Sequence, residues 1–136
     1  MGRSRVSTGF ILFLLIILFL FLQSKKNFIT IQETEPISVS EVSEFDIKLR
    51  VYNPTNVAIK PYLEIDYDRY QFLTNNQYLV KGQRIPLPQL QPYQDTGLFI
   101  NFASISMGNY TFSFKLYDAS IGGQKLDEKT ISVVVS

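Results

Sequence analysis

The segment FDIKLRVY, residues 45–52, alternates apolar and polar side chains over its whole length. Its apolar members are Phe45, Ile47, Leu49 and Val51. Strict alternation over this length is typical of a β-strand that buries one face and exposes the other to water. The segment therefore predicts a half-buried strand.

The same period of two recurs along the rest of the chain. Amphipathic runs cover residues 57–67, 98–102, 110–116 and 131–135, and shorter extended segments are predicted at 70–73 and 78–81. Turn-forming residues such as Asn53-Pro54 and Gly122-Gly123 separate the runs. No stretch after Lys26 sustains the i, i+3, i+4 spacing of an amphipathic helix. The sequence predicts an all-β domain, folded as a two-sheet sandwich of about seven strands.

Three short segments carry a resemblance to known sandwich families. GNYTFSF, residues 108–114, resembles the penultimate strand of immunoglobulin-like and fibronectin-type domains. There a Gly-x-Tyr opens the strand, and the tyrosine hydroxyl bonds back to the preceding loop in a tyrosine corner. Leu87–Asp95 resembles a loop of adhesion-type modules, and Val51–Asn56 resembles the strand–Asn-Pro turn of the late-embryogenesis-abundant, water-stress domain. The resemblance implies an immunoglobulin-like sandwich with Tyr110 in the corner.

An uncharged segment, residues 6–24, precedes this domain, and from Phe10 to Leu22 every residue is Phe, Ile or Leu. As a helix rising about 1.5 Å per residue, the segment would be roughly 28 Å long, close to the hydrocarbon thickness of a bilayer. It predicts one transmembrane helix. The predicted organisation is a tail over 1–5, the span over 6–24, a linker over 25–27 and the sandwich over 28–136.

A cleaved secretory signal is the first alternative for this segment. Leu22-Gln23-Ser24 offers no small-x-small cleavage site, and Lys25-Lys26 form a second charged border, so an uncleaved anchor is favoured. The positive-inside bias is slight, because basic residues flank both ends. A five-residue tail is easier to keep in the cytoplasm than a folded domain. We therefore expect a cytoplasmic N-terminus and an extracytoplasmic domain.

A pilin-like leader is the second alternative. Gly9-Phe10 followed by an apolar helix resembles the processing site of type IV pilins and archaeal pilin-like proteins. Leu14 stands where bacterial pilins have Glu, and Thr8 stands where the archaeal site has a basic residue. The resemblance implies a filament subunit cleaved after Gly9.

The order of one anchor helix and one sandwich also resembles the layout of the archaeal motor stator proteins FlaF and FlaG. Those proteins lie beneath the surface layer and contact it or the filament. The resemblance implies an envelope or appendage role, and it rests on layout alone.

Composition excludes several classes of function. The chain has neither His nor Cys, which removes Ser-His-Asp and Cys-His catalysis, the usual zinc ligand sets and disulfides. All 12 Asp and Glu follow residue 28, whereas four of the 13 Lys and Arg lie in the first 26 residues. The domain is therefore mildly acidic and lacks the basic cluster of a nucleic-acid binder. We expect no enzyme, no cofactor and no nucleic-acid partner.

The densest acidic group is Glu64, Asp66 and Asp68, spaced i, i+2, i+4 on a predicted strand. Side chains with this spacing share one face and lie roughly 7 Å apart, so they could begin a Ca²⁺ site. The alternative is a solvated strand face kept soluble by charge, with Lys48, Arg50 or Arg69 opposite it. This second interpretation is favoured.

Tyrosines on polar strand faces are candidates for an interface. Tyr52, Tyr62 and Tyr117 each stand beside charged residues, and exposed Tyr is enriched in protein interfaces. The alternative is that strands favour Tyr on either face. Asn109-Tyr110-Thr111 is a glycosylation sequon, so Asn109 is a possible acceptor if the domain is extracytoplasmic.

These observations predict a membrane-anchored interaction or structural subunit of a cell-envelope or appendage complex. Its expected partners are the lipid bilayer and other envelope or appendage proteins, with a homo-oligomer left open. A pilin-like filament subunit and a stress-protective membrane-associated domain are the alternative functions.

Overall fold

The structure is a computed structural model that describes residues 12–14, 27–33, 35–120 and 122–136. Residues 12–14 are helical. The remainder of the predicted span over 6–24, the tail over 1–5 and the first two linker residues lie outside the described residues. Within the described ranges, no helix has the length and apolar character needed to cross a bilayer.

Nine strands and one short helix make up the described domain. In chain order they are β1 (Ile29–Ile31), β2 (Ile37–Val39), β3 (Glu44–Tyr52), β4 (Pro61–Asp66), β5 (Phe72–Thr74), α1 (Gln77–Val80), β6 (Ile85–Pro86), β7 (Asp95–Ser104), β8 (Gly108–Asp118) and β9 (Gln124–Val135).

The strands form two sheets, which confirms the predicted all-β sandwich. One sheet has four strands in the order β1-β3-β7-β5, and the other has five in the order β2-β9-β8-β4-β6. Pairing is antiparallel throughout except between β2 and β9, which are parallel. The prediction of about seven strands was too low, because the two-residue and three-residue strands at the sheet edges are too short to show alternation.

The core fills the space between the sheets. Phe102 and Phe112 are fully buried, and their rings meet edge to face with centroids 5.0 Å apart. Phe72 packs against Phe112 in the same way at 4.9 Å. Such edge-to-face pairs stabilise a core beyond the area they bury. This explains the alternation of residues 45–52 and 110–116. The odd-numbered side chains of the first run and the even-numbered side chains of the second point into the core between the sheets.

Successive strands β3 and β4 belong to different sheets, and the loop over residues 53–60 crosses between them. Asn53 is fully buried in this loop. Its side-chain amide donates to the carbonyls of Val57, Leu90 and Gln91, and its oxygen accepts from the Thr55 N–H. The side chain thereby joins the crossing loop to the loop over residues 87–94.

Two predicted segments differ from the structure. Residues 78–81 were expected to be extended, yet 77–80 form α1. The Asn76 side chain accepts from the N–H groups of Tyr78 and Leu79, which caps a helix too short to show a periodic pattern. The run at 57–67 was placed too early, because β4 begins at Pro61 and the preceding residues form the crossing loop.

The two ends of the sandwich are distinct. At the Phe28 end, the chain enters β1 beside the loops 53–60 and 87–94, since the Tyr52 N–H donates to Phe28 and the Asn53 N–H to Gln94. At the Ser136 end lie the loops 40–43, 67–71 and 105–107, joined by the bonds from Glu41 to Ser136 and from Ile105 to Gln71. The two chain ends of the domain therefore lie at opposite ends of the strands.

Candidate interaction surface

Tyr62 and Tyr117 stand side by side on the outer face of the five-stranded sheet. They are direct partners in the antiparallel pair of β4 with β8. Their rings stack with centroids 5.2 Å apart and planes 11° from parallel. Both side chains are half-buried. Direct cross-strand aromatic pairs of this kind stabilise a sheet.

Arg84 completes this surface, which we call the Tyr–Arg stack (Tyr62, Tyr117 and Arg84). Its guanidinium lies 5.0 Å from the centroid of each tyrosine ring. One guanidinium nitrogen donates to the Tyr62 hydroxyl at 3.3 Å, and Glu64 accepts from another at 3.2 Å. An arginine held over two rings and fixed by a carboxylate loses little further freedom on binding.

The turn after β8 also closes on the Tyr–Arg stack. Gly123 has φ +72° and approaches the Tyr62 hydroxyl so closely that an added Cβ would lie 3.0 Å from it. The left-handed backbone favours glycine at this turn, and a side chain there would press on the Tyr62 hydroxyl.

Tyr52 does not belong to this surface, so the structure does not bring the three predicted interface tyrosines together. Tyr52 is on β3, in the four-stranded sheet, and faces outward from the opposite side of the sandwich. Arg50 lies over its ring at 6.0 Å and also pairs with Asp95. A single flat partner cannot contact Tyr52 and Tyr62 together.

The three predicted calcium ligands are not brought together. Glu64 pairs with Arg84, and Asp66 pairs with Lys115 at 3.0 Å. Asp68 lies past the end of β4, where its oxygen accepts from the Tyr70 N–H at 3.0 Å. Among the described residues, no three acidic side chains are grouped as metal ligands. The cations opposite the carboxylates are Arg84 and Lys115, not the predicted Lys48, Arg50 or Arg69.

Charges on the same sheet face are mutually compensated. A hydrogen bond from Lys115 to Asp66 raises the pKa of Lys115, and the nearby Glu128 carboxylate adds to the effect. A hydrogen bond from Lys125 lowers the pKa of Glu128. These pairs are largely exposed, so each contributes little to stability. They show that the charged side chains around the Tyr–Arg stack are largely paired with one another.

Asn109 is exposed at the start of β8, opposite Val134 on β9. It lies toward the Ser136 end of the sandwich, away from the Tyr–Arg stack at the other end of β8. A glycan at this position would leave the stack free. Modification of Asn109 stays a prediction.

Sequence reasoning missed the apolar loop residues at the Ser136 end. Val42 is 80% exposed, Tyr70 89% and Met107 65%. Val42 has φ +52°, an uncommon conformation for a β-branched residue. Single apolar residues in separate loops leave no periodic signal, so only the fold shows that they share one end.

Comparison with protein-family models and with curated proteins finds no match. Solved structures do match. A fragment of native alpha-2-macroglobulin from Escherichia coli, from domain MG7 to its C-terminus, has a TM-score of 0.62 at 12% identity. The match covers 79% of this chain and 16% of that one. This chain thus spans a small part of the macroglobulin chain.

Two further structures match over most of their own length. The CARDB domain of a Pyrococcus furiosus protein, in complex with di-metal ions, has a TM-score of 0.52 at 16% identity, over 79% of this chain and 84% of that one. A FixG-related protein from Vibrio parahaemolyticus has a TM-score of 0.52 at 14% identity, over 79% and 94%. At these identities the likeness shows the fold alone, an immunoglobulin-like, CARDB-type β-sandwich.

Proposed function

We propose that this chain is a membrane-anchored, extracytoplasmic interaction module that binds another cell-envelope protein through the Tyr–Arg stack. The observation that carries the proposal is the stack itself: Tyr62 and Tyr117 are half-buried, parallel and fixed by Arg84. Tyrosine and arginine dominate the energetics of protein interfaces. A rigid set of both binds with a small loss of side-chain entropy.

The anchor is proposed from the sequence of residues 6–24, which lacks any charge. A binding role agrees with the fold, since immunoglobulin sandwiches are rigid scaffolds that can carry binding residues. The layout predicted from the sequence resembles that of FlaF and FlaG, and this resemblance supports an envelope or appendage complex as the setting. No catalytic role is proposed, because the chain contains neither His nor Cys.

The test is co-purification of the full chain from its native membranes. The double variant Tyr62→Ser with Tyr117→Ser is expected to keep its fold and membrane association yet lose its co-purifying partner. Tyr52→Ser, on the opposite sheet, is the matched control and should keep the partner. Loss of the partner with Tyr52→Ser and retention with the double variant would place the interface on the other face.

N-terminal sequencing of the mature protein tests the anchor against the pilin-like alternative. A chain that begins at Met1 or Gly2 supports the anchor. A chain that begins at Phe10 supports cleavage after Gly9 and a filament subunit.

A further inference from the structure

Two apolar side chains are exposed together at the Phe28 end of the sandwich. Tyr93 is 63% exposed and Val57 is 61% exposed. They lie on neighbouring loops, because the Tyr93 N–H donates to the Asn53 carbonyl at 2.8 Å and the Asn53 amide donates to the Val57 carbonyl at 2.8 Å. The two loops thus present one shared surface.

This surface is held in a defined shape. Asn53 ties both loops together through its buried side chain. Tyr93 has φ +62° in a turn closed by the bond from the Gln94 N–H to the Gln91 carbonyl. The backbone that carries both exposed side chains is therefore held in place.

The start of the domain lies beside this surface and is firmly attached. The N–H groups of Phe28 and Ile29 both donate to the buried Asp127 carboxylate at 2.9 Å. The predicted span ends at residue 24, so the chain between it and Phe28 extends over at most about 14 Å. The polar layer on each side of a bilayer is roughly 5–8 Å thick. The tether is therefore short enough to keep the Phe28 end near the headgroups.

The charge around this end agrees with a phospholipid surface. Lys60 is exposed and Lys129 half-buried, and neither pairs with a carboxylate in the part of the chain that the structure describes. Lys129 instead lies 3.4 Å from the Asn27 side-chain oxygen, at the point where the chain enters. Lys25 and Lys26 are next to it in sequence, so four lysines lie near the point where the chain enters. Glu33 and Glu35 line the same groove as Lys129, and Asp118 and Asp127 at this end are buried. The lysines are therefore the charges that could meet anionic headgroups.

We infer that the Phe28 end lies against the phospholipid surface of the bilayer that holds the anchor, with Tyr93 and Val57 at the boundary of headgroups and acyl chains. The inference rests on the proposed anchor. Tyrosine favours this boundary because its ring is apolar and its hydroxyl polar. The contact would hold the domain at one tilt and point the loops of the Ser136 end away from the membrane.

The absence of Trp from the chain permits a direct test. The full chain is reconstituted in vesicles of phosphatidylcholine and phosphatidylglycerol, with or without bromine on the acyl chains. Tyr93→Trp places one indole at the inferred contact. Tyr70→Trp, at the opposite end and 89% exposed, is the matched control. Circular dichroism checks that both variants keep the β-rich fold.

We expect the Tyr93→Trp variant to lose most of its fluorescence in brominated vesicles. We also expect its emission maximum to lie at a shorter wavelength than that of the Tyr70→Trp variant. The Tyr70→Trp variant should keep its intensity. Equal intensity of Tyr93→Trp in both kinds of vesicle, or quenching of Tyr70→Trp instead, would overturn the inference. Flotation with vesicles distinguishes failure of the proposed anchor from failure of the inferred contact. If the chain floats but the Tyr93→Trp fluorescence is not quenched, the anchor is supported and the contact is wrong. If the chain does not float, both are wrong.

Discussion

The Tyr110 hydroxyl group joins the start of β8 to the loop before it. Its oxygen lies 3.0 Å from the Ser106 carbonyl and 3.2 Å from the Met107 carbonyl, in the loop before β8. This confirms the tyrosine corner predicted from GNYTFSF. Gly108 is part of the same arrangement, because a Cβ at that position would lie 3.0 Å from the Tyr110 ring. The Gly-x-Tyr pair is thus one structural unit.

Tyr110→Phe should lower the free energy of unfolding by about 1 kcal/mol, since it removes the hydroxyl and leaves the ring in place. Tyr70→Phe, whose side chain is 89% exposed, is the control and should change little. Urea denaturation of both variants measures the difference. An unchanged midpoint for Tyr110→Phe would show that the corner hydroxyl contributes nothing net.

The Asp118 carboxyl group makes the stability of the domain depend on pH in the acid range. Burial by itself raises the pKa of this carboxyl, but hydrogen bonds from the Ser120 hydroxyl and N–H and from the Lys60 N–H outweigh burial, and the pKa lies below its ordinary value. Because the folded pKa is lowered, the ionised carboxylate stabilises the fold above the unfolded pKa of about 3.9. That stability is lost as the pH falls through the folded pKa.

We expect acidification below about pH 4 to lower the melting temperature of the unmodified chain, and Asp118→Asn to reduce that dependence. Glu41→Gln is the control, because Glu41 is exposed and its side chain accepts no hydrogen bond from a described residue. Thermal melts across the acid range measure the slope. A slope that Asp118→Asn leaves unchanged would assign the acid response to other carboxylates.

At the scale of elements, α1 covers one open side of the sandwich between β5 and β6. Its Leu79 side chain is 3% exposed and belongs to the core. The helix has only four residues, so it depends on its cap and on this contact more than on intrinsic helix stability. Asn76 supplies the cap.

Asn76→Ala should therefore destabilise the domain by about 1 kcal/mol, the usual cost of losing an N-cap side chain. The neighbouring exposed Asn75→Ala is the control and should have a small effect. Chemical denaturation distinguishes them. Equal stability of the two variants would mean that core burial of Leu79 alone holds α1 in place.

Strands could be predicted from the sequence where apolar and polar residues alternate over many positions. Short elements could not be recognised in this way. The runs at 45–52 and 110–116 fall within β3 and β8, since every second side chain over many positions points to the same face of the sheet. The prediction of an extended segment at 78–81 was wrong, because four residues do not distinguish a period of two from a period of 3.6. There the local hydrogen bonds of Asn76 determine the conformation.

At the scale of the whole molecule, sequence alternation predicts which face of a strand is buried but not which sheet the strand joins. Tyr52 and Tyr62 follow the same polar-face rule, yet the crossing loop after Asn53 sends their strands to opposite sheets. The approach of Arg84 to Tyr62 and Tyr117 is equally invisible in the sequence, since it depends on β6 lying beside β4. Pairing over long distances along the chain determines the candidate site.

The placement of Phe28 and Ser136 at opposite ends of the strands has a mechanical consequence. A pull between these two points is directed along β1 and β9. It would shear β1 against β3 and β9 against both β8 and β2, so that many hydrogen bonds carry the load together. Two bonds to Asp127 reinforce the first point of attachment. A domain connected in this way transmits tension between its two ends instead of opening one bond at a time.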